Sequence, residues 1–170
     1  EKALQIKMGF GALSASTIEA SVLNRLDLIG WPESVKESAR KLYRRVIRGN
    51  ITQGLIQGAG YAEMTNGIKE NVGKTYKEQV RITRTEAHRA QSAGRLAGFD
   101  KVEEAGDELG FDVARVWNST LDQRTRRQHR IIDGQKAGED GQFTFADGVK
   151  TEAPGLSGVA RHDIHCRCAV

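Results

Sequence analysis

Cysteine and proline are nearly absent from this 170-residue chain, at two residues each. Both cysteines, Cys166 and Cys168, stand at the C-terminal end with one residue between them. That placement excludes a disulfide framework, because bridging positions i and i+2 of one extended segment cannot reach the preferred dihedral of about 90° without strain. Aromatic residues are sparse at 6%, and apolar residues reach only 38%. A modest core follows, supplemented by helices that pack on partner chains. No run approaches the ~18 apolar residues of a membrane span, and no charged-then-apolar leader with a small-residue cleavage site is present, so a soluble chain is expected. The chain opens at Glu1 rather than Met, which reads as a segment of a longer product.

Charge is present but confined. The net charge is +4, and residues 115–130 carry all of it: Arg115, Arg124, Arg126, Arg127 and Arg130 face the single Asp122. Such a patch can attract phosphate or an acidic protein surface, and it can equally be the solvated face of a helix.

The hydrophobic spacing predicts helices through most of the chain. Ile18, Val22, Leu26 and Ile29 line one side of a helix over 14–29 that stops at Gly30-Trp31-Pro32. Val35, Ala39, Leu42, Tyr43, Val46 and Ile47 form the stripe of a second helix over 33–48, which Gly49-Asn50 should end. Five glycines then interrupt residues 51–73, predicting short helices and turns, with Gly54 and Gly58 spaced for close helix contact. A long helix is expected over 74–109, with a face of small residues and a division at Gly98-Phe99.

Beyond Gly110 the pattern changes. The run from Phe111 to Trp117 reads as a strand, 121–132 as a short helix opened by the capping box Ser119-Thr120-Leu121-Asp122, Gln142–Phe145 as a short strand, and 152–170 as a returning loop. The expected class is α+β: a helix-rich N-terminal region (1–73), followed by a second unit (74–170) in which the long helix precedes a small module over 111–170 with short antiparallel strands.

The terminal Cys-x-Cys carries the clearest chemistry. In an extended segment both sulfurs point to one side, so Cys166 and Cys168 can offer two soft ligands to one ion, with His129, His162 or His165 completing a tetrahedron around Zn2+. The alternative is that both thiols are reduced and packed as small apolar groups beneath the arginine-rich helix, with His129 hydrogen-bonded to Asp133 or Asp163. Either arrangement makes the C-terminus a clasp on the segment behind Trp117.

One ordered set of residues is more specific than any of its parts. Trp117 leads into Asp122-x-Arg124-Thr125-Arg126-x-x-His129, then Asp133-Gly134, Phe143/Phe145, Pro154-Gly155 and His165-Cys166-Arg167-Cys168, with Arg84-Thr85-Glu86 upstream. From about Val80 to Val170 this resembles the phage Mu F-like head-morphogenesis family. His165 departs from the Pro-Asn that often precedes the first cysteine there. The resemblance implies a minor head protein, structural rather than enzymatic. Such a protein would act in procapsid assembly near the portal with capsid or scaffold partners, reside in the virion head after assembly in the host cytoplasm, and associate with DNA during packaging or ejection. It also implies that Arg84, Glu86, Trp117, Asp122, Arg124, Arg126, Asp133 and His129 are structural, with Asp122 pairing either with Arg126 or in a buried network with Arg84 and Glu86.

Two other classes are weighed against this one. An enzyme would be a zinc-dependent hydrolase using His129, His162 and the cysteines with Asp122, Asp133 or Asp163 as base, or an ADP-ribosyl-transferring toxin domain. No His-Glu-x-x-His spacing and no nicotinamide-binding pattern occurs. A nucleic-acid-binding module would use Arg124, Arg126, Arg127 and Arg130 on phosphates, with a steep salt dependence.

Overall fold

A computed structural model describes residues 37–69 and 76–170. The expected helix at 14–29, the Gly30-Trp31-Pro32 stop and the side chains of Val35, Ala39, Leu42 and Tyr43 lie outside what it describes. The architecture is α+β, helix-rich with one small antiparallel sheet near the C-terminus.

The first helix, α1 (Glu37–Gln57), does not end at Gly49-Asn50. Asn50 Nδ2 donates to the Val46 carbonyl at 2.9 Å, and Ile47 and Ile51 on either side are fully buried. Packing across this point outweighs the roughly 1 kcal/mol that one glycine costs a helix. The helix ends instead at Gly58, whose φ of 71° is open to glycine without a Cβ clash. There Ala59 N donates to Gly54 O at 2.8 Å and Gly58 N to Leu55 O at 3.3 Å, which closes two otherwise orphaned carbonyls.

The next two helices pack on α1: α2 (Tyr61–Lys69) and the 34-residue α3 (Tyr76–Leu109). Gly98 and Phe99 leave α3 undivided. It stops by the same device as α1, with Gly110 at φ 74° and Phe111 N donating to Gly106 O at 3.0 Å. Ile47, Ile51, Met64, Ile68, Ile82, Ala87 and Ala90 form the core between the three helices. Gly54 admits Met64 into that core, since a Cβ at residue 54 would sit 2.4 Å from Met64 Cγ.

The C-terminal module has a separate core of Trp117, Ile132, Phe143, Phe145, Cys166 and Cys168. The expected strand at 111–117 is an extended segment that makes only isolated bridges, Val116 with Lys136 and Asn118 with Ala169. Burial alternates along residues 113–119 as in a strand, but its neighbours run alongside too briefly to form a ladder. The expected helix at 121–132 shrinks to α4 (Arg127–Ile131). Its proposed cap is used elsewhere. Ser119 turns inward, and Asp122 caps a turn by accepting from Arg124 N at 2.9 Å and Thr125 Oγ1 at 3.1 Å.

Strand β1 (Phe143–Thr144) pairs antiparallel with β2 (Lys150–Thr151), Phe143 opposite Thr151. A single turn of helix, α5 (Ala160–Asp163), then leads to the cysteines. Pro154 and Gly155 are buried against α3, where a Cβ on Gly155 would meet His88 Cδ2 at 3.1 Å. His165 N donates to Thr85 Oγ1 at 3.2 Å, which fixes the terminal segment to the same helix.

A candidate metal centre

Trp117 anchors the site. Its side chain is 1% exposed and meets His129, Phe143 and Phe145 edge to face, at ring-centroid distances of 5.7, 5.3 and 5.4 Å. Its Nε1 donates to Ser119 Oγ at 3.0 Å, and Ser119 Oγ donates to the His129 carbonyl at 2.7 Å. The backbone of residue 119 is held as well, because Ser119 N donates to Asp133 Oδ1 at 2.7 Å. Helix α4 is thereby locked onto the tryptophan segment, with the His129 ring turned into the core.

The end of the chain returns to meet it. Asn118 and Ala169 exchange both backbone hydrogen bonds at 2.8 Å, and Thr120 Oγ1 donates to the Arg167 carbonyl at 2.9 Å. Arg167 forms two 2.6 Å bonds to the Asp122 carboxylate on the outside. The flanking residues 167 and 169 thus face outward and backbone, while Cys166 and Cys168 point inward together, as alternation along an extended segment requires.

Inside, His129 Nδ1 lies 3.4 Å from Cys168 Sγ and 3.7 Å from Cys166 Sγ. All three residues are buried, and the three ligand atoms lie within 4.8 Å of one another. Adjacent sulfur and nitrogen corners of a tetrahedron are about 3.5 Å apart when the metal bonds are about 2.3 and 2.0 Å. The spacing therefore fits one small ion. The hydrogen bond from Cys166 lowers the Cys168 thiol well below its usual range, more than burial raises it, and His129 and Ser119 add to the lowering. The same hydrogen bond, then burial, pushes Cys166 up. Both cysteines are free of disulfide.

His162 and His165 contribute no ligand atom to this triad, although the His162 ring stacks on that of His129 with centroids 5.9 Å apart. His162 is buried, stacks on Phe145 at 4.0 Å, and directs Nε2 to Asp147 Oδ2 at 2.9 Å. Arg161 Nη2 reaches the same oxygen at 2.8 Å, so α5 is clasped to the β1–β2 turn. Burial raises the Asp147 carboxyl, but the hydrogen bonds from His162, Val149 and Arg161 outweigh it and leave the pKa lowered. His165 is exposed, with a left-handed φ of 54°. Its pKa is lowered by burial and then by the positive fields of Arg84, Arg126 and Arg81.

The expected polar network divides in two. Glu86 is buried with Arg89, at 2.9 Å from Nη1, whereas Asp122 sits at the surface with Arg167 and Arg124. Hydrogen bonds from Arg167, Arg124 N and Thr125 hold the Asp122 pKa below the usual carboxylate range. Arg84 is exposed, and the Arg124 side chain is 82% exposed. Arg126 turns inward to the carbonyls of Ile164 and His162, Arg130 donates to the Asp122 carbonyl at 2.6 Å, and Arg127 is exposed. Asp163, weighed as a base, instead accepts from Ser157 Oγ at 2.7 Å and Gly158 N at 2.8 Å. Sequence reasoning missed the Asp147–His162 clasp, whose one legible signal was the Asp147-Gly148 turn.

These features define a class: a small α+β module, held on a long helix, whose last residues close a buried Cys-x-Cys and histidine cluster beneath a tryptophan. The chain belongs to the Phage Mu protein F like protein family, whose model matches residues 45–170. Among curated proteins it is 34% identical over 149 residues to an NAD(+)--arginine ADP-ribosyltransferase EFV of Enterococcus faecalis (strain ATCC 700802 / V583), a match covering 84% of this chain and 30% of that protein. It is 31% identical over 163 residues to the minor head protein GP7 of Bacillus phage SPP1, covering 96% of this chain and 51% of that one. The chain thus spans about half or less of the length of these relatives. No solved structure gives a significant match. Among the described residues no helix is long and apolar enough to cross a membrane.

Proposed function

We propose that this chain is the folded core of a minor head protein of a tailed phage or prophage. In this reading it acts in procapsid assembly at or near the portal, with portal, capsid or scaffold proteins as partners, and is carried in the head. The observation that carries the proposal is the match to a minor head protein over nearly the whole chain, together with the family match. A structural rather than enzymatic role is supported by where the polar groups go. Asp122, Asp133 and Asp163 all hold backbone or arginine partners, so none is placed as a base beside the buried cluster. A match to a segment making up 30% of a transferase fits a module that is shared by proteins of different activity.

Within that role His129, Cys166 and Cys168 hold Zn2+ as a structural staple. The two soft thiolate donors and one imidazole suit zinc with a fourth donor from beyond this triad, and the burial of all three residues suits a site that folds the chain rather than one that turns over substrate. When bound, the ion would join α4 to the chain terminus. The test is a phage lacking the gene, complemented either by the natural chain or by a Cys166→Ser/Cys168→Ser variant. Loss of normal heads without the gene, with recovery by the natural chain alone, supports the reading. Normal infectious heads in its absence contradict it.

A further inference from the structure

Most of the large apolar side chains left exposed among the described residues lie in two stretches of opposite charge. Residues 100–112, from the last turns of α3 to just past Gly110, hold six carboxylates against the single Lys101. Glu104, Asp107 and Glu108 stand three and four apart on one exposed side of the helix. Leu109 and Phe111 flank Gly110 beyond them and are about half exposed, although Phe111 is fixed by its backbone bond to Gly106. Residues 115–131 hold five arginines against the single Asp122. In α4 the His129 ring turns into the core, which leaves Arg127, Arg130 and Ile131 outside, again three and four apart. Arg130 donates to the Asp122 carbonyl at 2.6 Å and so brings the turn at Leu121 beside α4. Leu121 is 71% exposed there and Ile131 57%. Within one chain the two stretches are joined by Arg115 and Glu103, 3.3 Å apart. Among the described residues Glu104, Asp107, Glu108, Arg127 and Arg130 form no ion pair.

We propose that the acidic, apolar end of α3 in one copy docks on the arginine-bearing, apolar face of α4 and the Leu121 turn in a second copy of this chain. Exposed apolar side chains rimmed by charge are the make-up of an interaction surface, and surfaces of opposite sign steer one another into register. A nucleic-acid backbone would satisfy the arginines, but it would leave Leu121 and Ile131 in water and be repelled by the carboxylates of α3. A second copy brings carboxylates to guanidiniums, and Leu109 and Phe111 to Leu121 and Ile131, in one contact. His129 and the cysteines lie on the inner side of α4 and take no part, and the contact does not rest on a role in the head.

Sedimentation equilibrium of the full chain over a wide range of concentration tests the contact, and a mass that rises with concentration above that of one chain is expected. Two charge reversals, Arg124→Glu/Arg127→Glu and Glu104→Arg/Glu108→Arg, each spoil one of the two surfaces and keep the other. Each should weaken self-association by more than about tenfold. All four side chains are exposed, so the variants fold, with Tm as the check. Mixed in equal amounts the two variants should associate again, because the reversed charges are complementary to each other. A natural chain that stays monomeric throughout, either variant that associates as the natural chain does, or a mixture that stays monomeric overturns the proposal.

Discussion

His129 Nδ1 lies 3.4 Å from Cys168 Sγ, although 39 residues separate them in the chain. Trp117 sets the imidazole from one side, and the backbone pairing of Asn118 with Ala169 sets the sulfur from the other. The tryptophan segment is thus the template on which helix and terminus meet.

Trp117→Ala should therefore cost more than any surface change. The ring is 1% exposed and contacts three other rings, and truncation of such a side chain costs about 3–5 kcal/mol. Trp117→Phe keeps much of the packing but leaves Ser119 without its indole donor, for a smaller loss of about 1–3 kcal/mol. Urea unfolding at constant m-value checks both, and equal losses would show that the ring packing is not the larger factor.

Stability should carry two opposed pH dependences from α3. Burial, partly offset by Arg89, raises the Glu86 pKa from 4.5 to about 7. The folded state then holds a proton that the unfolded state has lost, so this contribution falls as pH rises from 4.5 to 7 and is level above that. Burial, aided by Arg95, lowers the His88 pKa from 6.5 to about 4, so its contribution rises with pH over 4 to 6.5. The unfolding free energy of the natural chain, taken relative to that of Glu86→Gln at the same pH, should accordingly fall by about 3 kcal/mol from pH 4.5 to 7. A relative stability that stayed constant or rose would refute the assignment.

Gly54→Ala should destabilise the helical core by about 1–3 kcal/mol, since its Cβ would meet Met64 Cγ at 2.4 Å and Sδ at 2.7 Å. In a Met64→Ala background the same change should cost little. Calorimetric melting of the four variants reads the coupling, and additive effects would mean that α1 and α2 separate freely.

The sequence disclosed more about pairings than about element boundaries. Cys166 and Cys168 could be grouped beforehand because alternation along an extended segment puts the two sulfurs together, but His129, His162 and His165 all stood as candidates beside them until the fold brought His129 to the pair. Gly110 marked the end of α3 because a left-handed residue there is a local requirement. Local signals misled where tertiary contacts decide. Gly49-Asn50 has the composition of a stop, yet Ile47 and Ile51 are buried around it. Ser119 and Asp122 have the spacing of a capping box, yet Ser119 is taken by Trp117 and His129, and Asp122 by Arg167, 45 residues away. The Asp147–His162 clasp depends on α5 folding back onto the β1–β2 turn, and although Asp147-Gly148 marks that turn, no spacing pairs it with His162.

The most direct test of the clasp is the metal content of the purified chain, measured with its melting temperature before and after chelation. About one equivalent of zinc, lost on chelation or in Cys166→Ser/Cys168→Ser with a fall in Tm, is the predicted result. A chain folded in zinc-containing medium that retains no metal, and melts identically with and without chelator, would contradict it.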